Sequence, residues 1–208
     1  GQRQIDVYGE LMDSVFLYNR AVPISYDLWT ALSRRLDWLE KHWTEPDEGI
    51  WEVRGPRQRF TYSALMTWVA FDRAQRLARD RGLPAPVERW RRLGARAYRF
   101  VQDECWNPSL GAYVMHPGSS ELDASVLTMP MTGFAGPTDP RFLSTLDCIG
   151  SRLVSDSLVH RYAASGHDGL EGAEGTFNLC SFWYVDALTR AGRLRESRTI
   201  FEKALTYA

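Results

Sequence analysis

The sequence predicts an all-α protein of about eight antiparallel helices with one short β-hairpin. Three observations carry this. Apolar residues recur with a period of 3.6 almost throughout. Helix starts and stops are marked by capping residues, first-turn prolines and a terminal glycine. The connections between periodic stretches alternate between short and long, as they do when consecutive helices run antiparallel.

The elements follow in order. "IDVYGELMDSVFLYNRA" sets Ile5, Tyr8, Leu11, Met12, Val15 and Phe16 on one stripe, which predicts a helix over residues 4–21. "SYDLWTALSRRLDWLEKHW" follows, capped by Ser25, with Leu28, Leu32, Leu36 and Leu39 on one face. "TYSALMTWVAFDRAQRLARDRG" ends at Gly82, and "PVERWRRLGARAYRFVQDEC" opens with Pro86 in its first turn. "DASVLTMPMTGF" reads as a short apolar helix that Pro130 bends or ends. "DPRFLSTLDCIGSRL" starts with Asp139 as cap and Pro140 in the first turn. "TFNLCSFWYVDALTRAG" and "LRESRTIFEKALTYA" complete the set. The β-hairpin is expected at "GAYVMHPGS".

Short connections ("VPI", "LPA", "AGPT", "GR") follow the first, third, fifth and seventh helices, and long ones follow the second, fourth and sixth. In an antiparallel stack every second connection lies at the same end, so the three long loops are expected on one shared rim. Loops of such length in a compact domain usually serve function. The first brings Asp47, Glu48, Trp51, Glu52 and Arg54. The second brings Trp106, Tyr113, His116, Glu121 and Asp123. The third brings Arg161, Tyr162, His167, Asp168, Glu171 and Glu174. Carboxylates, arginines and flat aromatic faces suit a neutral, hydroxyl-rich ligand such as a sugar, whose ring stacks while its hydroxyls are held by bidentate partners.

Composition narrows the classes further. Of 208 residues, 44% are hydrophobic and 25% charged, which is a globular balance, and the net charge of −1 supplies no field for nucleic acid or a membrane surface. The many arginines alternate with apolar residues along helices, as on solvated outer faces. Cys105, Cys148 and Cys180 are far apart without metal-ligand spacing, which fits reduced thiols in a cytoplasm. Neither a membrane span nor a charged-then-apolar leader is expected. No Gly-rich phosphate cradle is present, and no HExxH-like spacing joins His116 or His167 to the carboxylates in a metal site.

"GIWEVRGPRQRFTYSALMTWVAFDRA" and "DGLEGAEGTFNLCSFWYVDALTRAGRL" resemble bacterial members of glycoside hydrolase family 15, the glucoamylases with related trehalases and dextran-degrading enzymes. "QRQIDVYGE", "LDASVLTMPMTGF" and "LVHRY" extend the resemblance over the whole chain, 1–208, as one catalytic domain. It implies an (α/α)6 toroid of twelve helices whose active site lies in the funnel at one end. Such enzymes invert the anomeric centre with two carboxyl groups roughly 6.5–9.5 Å apart, one a protonated acid and one a base that activates water. The resemblance makes Glu52 the general acid, with Trp51 partly burying it to keep it protonated. Arg161 matches an arginine that holds sugar hydroxyls; Trp51, Arg54, Asp123, His167 and Glu171 are carried over as further substrate contacts.

The chain also departs from the pattern. The family's base lies in a "GLxxEE"-like stretch expected beyond "FEKALTYA", and the toroid's first helices are expected before "GQRQIDVYGE", so an incomplete toroid is expected here. Glu174 is the alternative base, unless it favours the N-terminus of the following helix. Asp123 could instead cap its own helix, and Asp47 and Glu48 are left to capping or sugar contact. The expected function is an inverting exo-acting hydrolase releasing glucose from α-glucans or maltose. The alternatives are a trehalase of the same family or a non-catalytic carbohydrate-binding or helical interaction module. No cofactor and no metal are implied. Apolar flanks at Ile5, Leu11, Val15, Phe201 and Leu205 predict a homo-oligomer.

Overall fold

The computed structural model describes residues 2–163 and 175–207. The chain divides into two compact units, Gly1–Glu52 with Pro56–Asp103, and Val53–Gly55 with Glu104–Ala208. The all-α expectation holds, with eight α-helices among the described residues and only two-stranded hairpins beside them. No helix among them is long and apolar enough to cross a membrane.

In the first unit α1 (Asp6–Asn19), α2 (Tyr26–His42), α3 (Thr61–Arg81) and α4 (Val87–Glu104) surround one core. Small and apolar residues lie all round the first half of α3, so it is buried on every side from Thr61 to Thr67. Helix α1 packs along it, and Arg73 of α3 donates to Asp13 of α1 at 2.6 Å. Helices α2 and α4 are amphipathic. They bury Trp29, Leu32, Leu36 and Leu39 on one side, and Trp90, Leu93, Ala97 and Val101 on the other. Trp29 and Trp90 meet edge to face at 5.7 Å, while Arg91, Arg92, Arg96 and Arg99 point to solvent as the spacing predicts. Ser25 caps α2 by accepting from the Leu28 N–H at 3.1 Å. Ile5, expected on an exposed flank, is 1% exposed and belongs to this core, whereas Leu11 is on the surface.

The second unit holds two hairpins and four helices. Strand β1 (Trp106–Asn107) pairs with β2 (Ala112–Tyr113), so the hairpin turns at Pro108–Gly111 instead of within "GAYVMHPGS". The Asn107 side chain decides this, accepting from the N–H groups of Ser109 and Leu110 and closing the turn ahead of the expected one. "DASVLTMPMTGF" is not one helix. It begins as a 3₁₀ turn, Ala124–Thr128, and Pro130 opens the one-turn helix α5 (Met129–Thr132) instead of breaking it. Helix α6 (Pro140–Arg152) starts as predicted, with Asp139 accepting from the Arg141 and Phe142 N–H groups.

An unexpected hairpin follows, β3 (Val154–Ser155) with β4 (Leu158–Val159), turning through Asp156 and Ser157 at φ +47° and +72°. Turns with two left-handed residues normally advertise themselves by glycine, which this one lacks. Helix α7 (Asn178–Arg190) then packs against α8 (Leu194–Ala204) and the 3₁₀ turn. Phe201 and Leu205 are exposed, as expected of a flank.

Candidate active site

The first long loop is closed at its feet by Asp47 and Gln58, whose backbones exchange two hydrogen bonds of 2.9 and 3.1 Å. Between them the chain reverses at Gly49, φ +62°, where an added Cβ would stand 2.8 Å from the Phe60 ring. Only glycine meets both conditions. The Glu52 N–H then donates to the Gly49 carbonyl at 3.1 Å, and Glu52 itself takes φ +51°. A glutamate in the left-handed region is uncommon and costs energy that the surrounding fold must supply. Its side chain is exposed, Trp51 beside it is half-buried and Arg54 is exposed. The partial burial expected of Glu52 is therefore not found among the described residues.

The buried carboxyls of this unit are Asp47, expected to cap or to contact sugar, and Asp6, which no motif had placed at the site. Asp6, in the first turn of α1, is 1% exposed, and its Oδ1 is buried without a hydrogen-bond partner. Burial, the negative charges of Glu10 and Asp47, and more weakly that of Glu52, push its carboxyl up to about 7. Asp47 is fully buried. Its Oδ2 accepts from the Ile5 N–H and from Ser63 Oγ, both at 2.8 Å. Burial raises the Asp47 carboxyl and those two donors draw it back, leaving it above the ordinary aspartate value. Tyr62 Oη donates to Glu10 Oε1 at 3.2 Å. Glu48 is turned to the loop base, accepting from the Arg3 N–H at 2.6 Å and Arg57 Nε at 2.8 Å. The first unit thus gathers Asp6, Glu10, Asp47 and Glu52 into one acidic neighbourhood. The signal for Asp6 was present in "QRQIDVYGE": an aspartate beside Ile5, at the head of a buried stripe.

In the second unit the second and third long loops meet. Asp123 pairs with Tyr162, and the Ala124 N–H donates to the Arg161 carbonyl at 2.8 Å. Asp123 is 1% exposed and caps the 3₁₀ turn by accepting from the Ser125 N–H at 2.8 Å, the capping role the sequence allowed it. The half-buried Arg161 guanidinium lies 5.4 Å from the Tyr162 ring centroid and 5.9 Å from that of Phe177. A planar guanidinium beside aromatic rings has the fork geometry that matches paired oxygens. Trp106 and Tyr113 meet edge to face at 5.2 Å, with the Arg141 guanidinium 4.9 Å over the indole. His167, Asp168, Glu171 and Glu174 lie outside the described residues. Among the described residues no three His, Cys, Asp or Glu side chains are grouped to hold a metal ion.

The helical fold carries on its loops a glutamate in the left-handed region, buried acids and an arginine beside aromatic rings. The chain belongs to the Glycosyl hydrolases family 15, whose model matches residues 1–208. It is 39% identical over 209 residues to a trehalase of Mycobacterium tuberculosis, covering 100% of this chain and 31% of that protein. A trehalase of Thermoplasma acidophilum is 35% identical over 210 residues, covering 100% of this chain and 36% of its own. The chain thus spans about a third of the length of these relatives. Among solved structures, a wild-type glycosidase matches with a TM-score of 0.81 and 24% identity, over 94% of this chain and 51% of that one. A bacterial glucoamylase complexed with acarbose matches with a TM-score of 0.69 and 14% identity, over 91% of this chain and 35% of its own. These two likenesses concern the fold.

Proposed function

We propose that this chain is the part of a trehalase catalytic domain that carries the general acid, and that the whole protein cleaves α,α-trehalose to two glucose molecules with inversion. The observation that carries the substrate is the 39% identity to a trehalase over 100% of the chain. It moves the expectation from α-glucans and maltose to trehalose. In the reaction Glu52 gives its proton to the bridging oxygen as the anomeric carbon–oxygen bond breaks. A water attacks from the opposite face and yields its proton to a base carboxylate. Glu174 and a carboxylate outside this chain remain the two candidates for that base.

Trp51 and Arg54 lie on either side of Glu52 in the same loop and supply a flat apolar face and a hydrogen-bond donor for a sugar. Arg161, whose planar guanidinium lies near the Tyr162 and Phe177 rings, suits a pair of sugar hydroxyls. His167 and Glu171 complete the proposed contacts, and no cofactor takes part.

The test is glucose release from trehalose, maltose and soluble starch by the full-length protein and its Glu52→Gln variant. Trehalose is expected to be the fastest substrate, and the variant to lose about 100-fold or more, the usual contribution of a general acid. Faster turnover of maltose than of trehalose would return the substrate to the glucoamylase reading. Equal rates from both proteins would remove Glu52 from its role.

A further inference from the structure

Asp47 is an acid of the first long loop that takes no part in the proposed reaction, and it is fully buried. Its Oδ2 ties the backbone at the start of α1, through Ile5, to the first turn of α3, through Ser63. Its own backbone closes the loop against Gln58. One residue therefore joins two helices to the base of the loop, five positions before Glu52. The loop above it ends in a backbone conformation that glutamate adopts only where the surroundings impose it. A carboxylate without a fixed loop base would be free to leave that conformation.

We propose that Asp47 is a positioning residue for the reaction: by tying the loop base to α1 and α3 it holds the Glu52 carboxyl at the height of the glycosidic oxygen. This rests on Glu52 being the acid, as argued above. Misplacing a catalytic group by about 1 Å costs on the order of 100-fold in rate. A buried tie that served the fold alone would have a different signature, and leaving-group chemistry separates the two. The glucose expelled from trehalose must be protonated as it departs. Fluoride leaves α-glucosyl fluoride as a stable anion, so that substrate needs the water and the base but not the acid. A loosened acid slows trehalose and spares the fluoride, whereas a damaged fold slows both.

The experiment measures kcat and KM on trehalose and on α-glucosyl fluoride for the full-length protein and its Asp47→Ala, Asp47→Asn and Ser63→Ala variants, with thermal melts of each. Asp47→Ala is expected to lower kcat on trehalose about 100-fold with KM within about threefold, and to lower the fluoride rate less than about fivefold. Asp47→Asn, whose amide oxygen still accepts from both donors, is expected to return to within about tenfold of the parent on trehalose. Ser63→Ala removes one donor and is expected to lose about tenfold on trehalose alone.

Full trehalose turnover by Asp47→Ala overturns the proposal, and so do equal losses on both substrates in a folded variant. Should Asp47→Ala fail to fold, the Ser63→Ala ratio of the two losses decides by the same criterion. Glu52→Gln, assayed alongside, keeps the two readings apart. If that variant keeps full trehalose turnover, the acid assignment falls and takes the positioning role with it. If it loses turnover while Asp47→Ala does not, only the positioning role falls.

Discussion

Gly9 of α1 lies so close against Met66 of α3 that a Cβ on Gly9 would stand 2.2 Å from the Met66 carbonyl oxygen and 2.6 Å from its carbonyl carbon. Backbone opposes backbone there, and neither can rotate away as a side-chain tip could. Gly9→Ala gains about 1 kcal/mol in helix propensity. The clash must separate two packed helices, and overpacking of this kind costs about 1–3 kcal/mol or more. The clash is expected to win, lowering the urea midpoint or leaving the protein insoluble; a variant that melts with the parent would show that α1 and α3 part cheaply.

Asp6 makes stability depend on pH. Its carboxyl is pushed up to about 7 in the fold, against an ordinary aspartate in the unfolded chain. Between about pH 4 and pH 7 the native state therefore holds a proton that the unfolded state has released, and stability falls as pH rises through that window. The loss is complete above pH 7 and amounts to no more than roughly 4 kcal/mol. Asp6→Asn removes the titration. Its melting temperature is expected to match the parent near pH 4 and to exceed it at pH 8. A parent-minus-variant difference that stays constant across the range would refute the assignment.

Arg161 presents a planar guanidinium near two aromatic rings, a shape that lysine cannot imitate. Arg161→Lys keeps the charge and loses the fork. Its kcat/KM on trehalose is expected to fall by about 100-fold, the scale of a lost charged hydrogen bond to substrate, while its melting temperature stays near that of the parent. A large fall in melting temperature with kcat/KM intact would make Arg161 a structural residue instead.

The β3–β4 turn forces Ser157 to φ +72°, where a Cβ is disfavoured by about 1–2 kcal/mol. Glycine relieves this but adds freedom to the unfolded chain worth about 0.5–1 kcal/mol. Ser157→Gly is expected to stabilise the protein by about 0.5–1 kcal/mol, visible as a rise of a few degrees in the melting temperature. Asp156, equally left-handed, makes a poorer target because its carboxylate accepts from Lys203 and Tyr207.

The helices were legible because the forces that form them are local. Ser25 and Asp139 announce two starts, and the α2 stripe names Leu32, Leu36 and Leu39 among the residues it buries, although Leu28 of that stripe is exposed and Trp29 is buried instead. The hairpins were not. Asn107 set the turn of the first through two side-chain hydrogen bonds, and the second lacks the glycine by which such turns are recognised. At the site, Glu52 and Arg161 could be named from the resemblance of their motifs. The exposure of Glu52 and its left-handed backbone could not, because no local pattern of residues reports either.

By itself the sequence determined an all-α chain of family 15, with the glutamate proposed as its acid on the loop after α2, since periodicity, capping and motif are written in neighbouring residues. Tertiary structure alone decided that Asp47 is a buried tie and that Asp6 is buried with its Oδ1 lacking a hydrogen-bond partner. It also decided that Gly9 is the point where α1 meets α3. The physical reason is the distance along the chain over which these relationships form. Asp47 meets Ile5 across 42 residues and Ser63 across 16, and no local pattern of hydrophobicity or propensity reports a partner so far away.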